Sequence, residues 1–169
     1  MTGHYLIALG SNQRHVRHGA PEAVLRAACA AMDRASIRIE QTGPIIRSAP
    51  IGPSLRRYAN SVVVAKSRLD PPALLAALKQ IERHFGRRTR GQRWSTRVLD
   101  LDLVLWSGGC WSDPDLTVPH PLFRQRRFVL DPALPIAGHW RDPVSNLTLR
   151  QLAARLNRAR AHLAAEPGA

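Results

Sequence analysis

The segment RWSTRVLDLDLVLW, residues 93–106, constrains the fold more than any other stretch of the chain. Side chains alternate between two faces along a β-strand. From Val98 to Trp106 that alternation places Leu99, Leu101, Leu103 and Leu105 on one face and Val98, Asp100, Asp102, Val104 and Trp106 on the other. The leucine face has to be core. The opposite face then carries two carboxylates about 6.5 Å apart along the strand, from a rise of ~3.3 Å per residue. Carboxylates pointing the same way at that spacing repel unless something positive lies between them. Arginine is one such partner. A hard cation such as Mg²⁺ is another, because it takes one or two carboxylates and fills its shell with phosphate and water.

The rest of the pattern surrounds this strand with an α+β fold. Tyr5 to Leu9 reads as a first strand ended by Gly10-Ser11-Asn12. Pro21 fits the start of a helix whose apolar stripe is Val24, Ala28 and Met32, with Leu25 and Cys29 beside it. SIRIE and YANSVVVAK read as strands, the second with Tyr58, Asn60, Val62 and Val64 on one face; TGPIIRSAPIGPSLRR between them reads as a proline-punctuated loop region. Asp70 can cap a helix with Pro71 at its first position, carrying Leu74, Leu78, Ile81 and Phe85 inward and stopping at Gly86. LTVPHPLFRQRRFVL reads as a second basic loop leading into DPALPIAG. A last amphipathic helix carries Leu149, Leu152, Leu156 and Leu163 behind a Thr148–Gln151 capping box. No linker or repeat divides this order. We expect one domain over residues 1–169, with a mostly antiparallel, ferredoxin-like sheet and flanking helices.

Charge narrows the partners. Lys plus Arg number 25 against 12 Asp plus Glu, a formal net charge of +13, which favours anionic partners. Arg87, Arg88, Arg90, Arg93 and Arg97 crowd the segment before the aspartates; Arg124, Arg126 and Arg127 form a second cluster. Guanidinium groups clamp phosphate oxygens in pairs, and carboxylates beside phosphate clamps suit metal-assisted phosphoryl transfer. The alternative for each arginine is a solvated basic loop. Neither G-x-x-x-x-G-K-[ST] nor G-x-G-x-x-G occurs, so a nucleotide would be bound without a P-loop or a dinucleotide-binding turn. Cys29 and Cys110 have no metal-ligand spacing and read as thiols. With no signal-peptide pattern and no membrane-length apolar run, the expectation is a cytoplasmic protein.

Taken together, YLIALGSN, RSAPIGP, YANSVVV, IERHFGR, RWSTRVLDLDLVLW, LTVPHPLFRQRRFVL and LPIAG resemble, in order and spacing, the 6-hydroxymethyl-7,8-dihydropterin pyrophosphokinases of folate biosynthesis. The resemblance implies transfer of a pyrophosphoryl group from ATP to the pterin hydroxymethyl oxygen, releasing AMP. It implies that Asp100 and Asp102 hold two Mg²⁺ ions on the open face of their strand, and that Arg87 and Arg97 are catalytic-loop arginines. Glu82, Leu103, Thr117, His120 and Arg126 match ATP-side positions. Ser48, Ile51, Tyr58, Asn60, Trp94 and Phe128 match the pterin pocket, with Trp94 and Phe128 as its stacking pair. A monomer acting on small molecules, with no nucleic-acid or membrane partner, is implied as well. The chain departs from the family pattern at Thr89, where a further arginine is usual, and at Thr96, where proline is usual.

Two other readings stay open at this level. A basic α+β domain could bind RNA on its sheet, although only 5% of residues are aromatic and the sheet offers aspartates. A pterin- and nucleotide-binding relative with altered catalysis is the other, motivated by Thr89 and Thr96.

Overall fold

The computed structural model describes residues 2–49, 57–86 and 98–165, with side chains as far as Ala159. Strand β1 (Gly3–Ser11), helix α1 (Pro21–Arg34), strands β2 (Arg38–Thr42), β3 (Ile46–Ser48) and β4 (Tyr58–Ser67), helix α2 (Pro71–His84) and strand β5 (Asp100–Trp106) come first. A small hairpin, β6 (Trp111–Ser112) with β7 (Thr117–Val118), and a 3₁₀ turn at Phe123–Gln125 lead to helices α3 (Arg127–Ala137) and α4 (Leu149–Ala165). The main sheet has five strands in the order β2-β4-β1-β5, with β3 also against β4. All its pairings are antiparallel. This is the ferredoxin-like order, with β2 and β3 sharing one side of β4: β2 pairs with Val63–Lys66 and β3 with Tyr58–Asn60.

Local signals set the helix ends as expected. Asp70 Oδ1 accepts the Ala73 N–H at 2.9 Å, Pro71 opens α2, and Gly86 beyond its end has φ +88°, a conformation that suits glycine. At α4 the capping box closes in both directions. The Thr148 N–H donates to Gln151 Oε1 at 2.9 Å, and the Gln151 N–H donates to Thr148 Oγ1 at 3.2 Å.

The sheet is covered on both faces. Tyr5, Ile7 and Leu9 of β1 join Leu101 and Leu103 of β5 under α1 and α2. Leu6 and Ala8 join Val62, Val64 and Val104 under α3 and α4. The expected open face of β5 is therefore open only in part: its Val104 end is core, and its aspartate end is where the helical cover stops.

Three local expectations are corrected. Leu105 does not share the core of Leu99, Leu101 and Leu103. The β1–β5 register slips between Leu6 and Ile7, so that Ile7 faces Leu103 and Leu6 faces Leu105, with Val104 as the extra residue of a β-bulge. Val104 and Leu105 consequently enter the same core, and Trp106 returns to the other, stacked on Tyr5 at 6.4 Å. Second, RFVLDPALPIA is a helix despite Pro132 and Pro135. Third, the proline-rich loop before β4 contains β3.

Gly43 shows how tightly the second cover is laid. It follows β2 and donates its N–H to Val62 O at 2.8 Å, and a Cβ there would lie 2.2 Å from the carbonyl oxygen of Pro132 in α3. Only glycine lets helix and sheet main chains approach this closely. No helix among the described residues is long and apolar enough to cross a membrane.

Candidate active site

Sheet register brings together residues far apart in sequence. Gly10 of β1 lies opposite Asn60 of β4 on one side and Asp100 of β5 on the other, forming the row Asn60–Gly10–Asp100. The next row on this face is Val62–Ala8–Asp102. Small residues in β1 thus separate the aspartates from β4, so no bulky side chain stands between them. With strands ~4.8 Å apart, Asn60 and Asp100 start about 10 Å from one another at the backbone. Both aspartates are half-buried.

β5 is held at this point by an acid. Glu82 of α2 is 2% exposed, and its Oε1 accepts the Leu101 N–H, between the two aspartates, at 2.7 Å. That peptide faces away from β1, and by strand alternation the Leu103 N–H faces the same outer edge. The Leu103 side chain itself is core. Only the Leu103 main chain is therefore placed to serve the ATP-side position that it matches by resemblance, and Glu82 positions the strand that carries the aspartates.

The turn after β7 supplies positive charge and an imidazole. His120 is tied to β5 by its N–H, which donates to Val104 O at 2.9 Å. Its Nδ1 accepts the Leu122 N–H at 3.1 Å, which fixes the proton of the neutral ring on Nε2. Burial lowers the His120 pKa; Asp102 opposes that shift, and Arg126 adds to it. The ring is thus a neutral Nε2–H donor at neutral pH. Arg126 Nη1 lies 3.5 Å from Asp102 Oδ2, an ion pair at the long limit for a hydrogen bond, and its guanidinium sits 5.6 Å from the Phe128 ring centroid.

The second arginine cluster divides. Only Arg126 faces the aspartates. Arg124 is bound by Asp142 and Arg127 by Asp131, so neither is spent on an open phosphate site.

On the β4 side, Asn60 is 4% exposed and its Nδ2 donates to Ser48 Oγ at 2.8 Å. Ser48 lies opposite Tyr58 in the β3–β4 register. These three expected pterin-side residues lie together beside the aspartate row; Phe128, half-buried at the start of α3, packs against the second core with the Arg126 guanidinium over its ring. Thr117 is exposed on β7, opposite Ser112. Arg87, Trp94, Arg97 and Ile51 lie outside the described residues, as do Thr89 and Thr96. Gly10 reads in the sequence as a turn that ends the first strand at Leu9, whereas β1 runs on through Ser11; its role as the gap in the row depends on pairing that no local signal encodes.

The donor set suits a hard cation. Two carboxylates on one strand face offer only oxygen, and among the described residues no third His, Cys, Asp or Glu joins them in a protein-only cage. Magnesium takes such a pair and leaves the remaining positions to phosphate and water.

Comparison with known proteins follows the same lines. The family model for 7,8-dihydro-6-hydroxymethylpterin-pyrophosphokinase matches residues 6–138. The 2-amino-4-hydroxy-6-hydroxymethyldihydropteridine pyrophosphokinase of Synechocystis is 41% identical over 118 residues, covering 70% of this chain and 60% of its own length. The Pseudomonas aeruginosa protein of the same name is 37% identical over 139 residues, covering 81% and 82%. Among solved structures, wild-type Plasmodium falciparum HPPK-DHPS superposes with a TM-score of 0.73 over 96% of this chain and 46% of that one; at 13% identity this speaks for the fold alone. Fold, register and the matched residues converge, and the chain belongs to the 7,8-dihydro-6-hydroxymethylpterin-pyrophosphokinase family.

Proposed function

We propose that this chain transfers the pyrophosphoryl group of ATP to the hydroxymethyl oxygen of 6-hydroxymethyl-7,8-dihydropterin, releasing AMP, a step of folate biosynthesis. The observation that carries the reading is the row Asn60–Gly10–Asp100, which sets the Asn60 amide beside a carboxylate pair on one sheet face. The pterin ring lies against Ser48, Tyr58 and Asn60, where the buried Asn60 amide reads its hydrogen-bonding edge and Phe128 covers a face. Ile51 and Trp94 complete that pocket by family resemblance. From there the hydroxymethyl group extends across Gly10 toward Asp100.

ATP occupies the other side. His120 donates through Nε2–H to a phosphate oxygen, Arg126 turns from Asp102 to the phosphates, and Thr117, Glu82 and the β5 edge at Leu103 line the nucleotide. Arg87 and Arg97 neutralise transferring charge. Mg²⁺, two ions by resemblance, held by Asp100 and Asp102, supplies charge neutralisation on the phosphates. The hydroxymethyl oxygen forms a bond to the β-phosphorus as the bond from that phosphorus to the α,β-bridging oxygen breaks. AMP leaves with the bridging oxygen, and the hydroxyl proton passes to solvent. Among the described residues no side chain is placed as a strong base, so orientation and charge compensation carry the rate. The chain acts as a single-domain, cytoplasmic monomer on small molecules, without a nucleic-acid partner.

Nucleotide products from ATP, Mg²⁺ and the dihydropterin test this directly. Pterin-dependent AMP with no ADP is the expected result. Pterin binding without AMP would overturn it in favour of a binding relative with altered catalysis.

A further inference from the structure

The family match ends at residue 138, yet the segment beyond it sends one charged group back toward the site. Asp142 is 0% exposed. Arg124 grips it with two parallel bonds, Nε to Oδ2 at 2.7 Å and Nη2 to Oδ1 at 2.6 Å. The Val144 and Ser145 N–H groups, each at 3.2 Å, and the Ser145 hydroxyl complete its shell. The Arg124 guanidinium is also 4.7 Å from the ring centroid of Phe123, which is wholly buried. Arg124 is therefore fixed at its edge by a carboxylate and on its face by a ring.

Arg124 sits in the middle of the turn that presents the two phosphate-side groups. His120 O accepts the Phe123 N–H at 3.2 Å, and Phe123 O accepts the Arg126 N–H at 3.1 Å. A rotation of Arg124 would carry His120 and Arg126 away from Asp102. A buried ion pair is weak as a source of stability, since apolar residues of similar volume often serve as well, but its paired bonds fix direction as apolar packing does not.

We propose that Asp142 is a positioning residue, which through Arg124 locks the His120–Arg126 turn in the orientation that receives the nucleotide phosphates. It touches no reacting atom. The inference rests on the proposed pyrophosphoryl transfer, and its signature is confined to one substrate.

Steady-state kinetics of Asp142→Asn test it, with ATP and dihydropterin varied in turn. KM for ATP is expected to rise about tenfold to a hundredfold, the scale on which small misplacements of binding groups act, with KM for the pterin within about twofold. Asp131→Asn is the control: it breaks a similar arginine pair, Arg127 Nε to Asp131 Oδ2 at 3.0 Å, that does not lead into the turn, and should leave both KM values in place. Should Asp142→Asn not fold, Arg124→Lys keeps the charge and loses the paired bonds, and should show the same ATP-selective rise. Unchanged ATP KM in the folded variant, or an equal rise for both substrates, overturns the proposal. Absence of pterin-dependent AMP from the wild type would instead overturn the functional reading beneath it.

Discussion

Two halves of one sheet face, built on the same strands, have opposite jobs. At one end Leu6, Val62, Val64 and Val104 lie under α3 and α4 and are at most 3% exposed. At the other, Gly10, Asp100 and Asp102 continue the same strands only half-buried, beside the buried Asn60 amide. The change happens within one step of the pleat, since Val62 follows Asn60 and Val104 follows Asp102 on each strand's shared face. The apolar end supplies hydrophobic stabilisation, on the order of 25 cal/mol per Å² buried, and fixes the strands' register. The polar end uses that register and contributes little to it. Substitutions should therefore separate cleanly: activity without stability at one end, stability without altered chemistry at the other.

The largest effect is expected at the polar end. Asp100→Ala or Asp102→Ala should lower kcat/KM by about a thousandfold or more, the upper range for removing one group that neutralises transition-state charge. The melting temperature should stay close to wild type, because neither side chain is core. Near-normal turnover in either purified variant would break the comparison. At the covered end, Gly43→Ala forces a Cβ onto the Pro132 carbonyl and should cost roughly 1–3 kcal/mol in denaturant unfolding, with kcat of the folded fraction unchanged. Val62→Ala, in the same row as Asp102 but on β4, should cost about 2 kcal/mol. A rise in pterin KM alone in that variant, with no loss of stability, would blur the boundary between the halves.

A smaller effect is expected from acid. Burial alone would push the Asp142 carboxyl up, but the Arg124, Ser145 and Val144 donors outweigh it and hold the pKa at about 2 instead of 3.8. A depressed carboxylate pKa contributes stability that is present above the unfolded value and is lost as pH falls through the folded one. About 2 kcal/mol should accordingly disappear between pH ~4 and ~2. In Asp142→Asn that part of the acid dependence should be missing; an identical acid profile in variant and wild type would contradict the assignment.

What the sequence discloses follows from which interactions are local. Helix signals are local, and Asp70, Pro71, Gly86 and the Thr148–Gln151 pair all act where their chemistry predicts. The alternation of β5 holds through Leu103 and then fails at Val104. A bulge adds one residue to satisfy pairing with β1, and nothing in LVLW announces it. Helix α3 is hidden by Pro132 and Pro135, which read as breakers; tertiary packing of Val129, Leu130 and Ala133 into the second core overrides that local cost.

The site is legible in the same uneven way. The D-x-D pair is a local pattern and its chemistry can be argued from spacing. Its neighbours cannot. Ser48 meets Asn60 through β3–β4 pairing, Glu82 reaches Leu101 across 19 residues, and Asp142 reaches Arg124 across 18. Resemblance names Ser48, Asn60, Glu82, His120 and Arg126, but only the pairing of β3, β4, β1 and β5 explains why Ser48 and Asn60 lie beside the aspartates.

The most direct test of the account is the distance between its two halves of chemistry. Mn²⁺ in place of Mg²⁺, with a non-hydrolysable ATP analogue and bound dihydropterin, permits that distance to be read from paramagnetic relaxation of the pterin protons. Rows one strand apart on each side of Gly10 predict strong relaxation, with metal and pterin within about 10 Å, and its loss in Asp102→Asn. Saturating pterin binding with no relaxation enhancement from bound Mn²⁺ would contradict the shared face and, with it, the proposed transfer across Gly10.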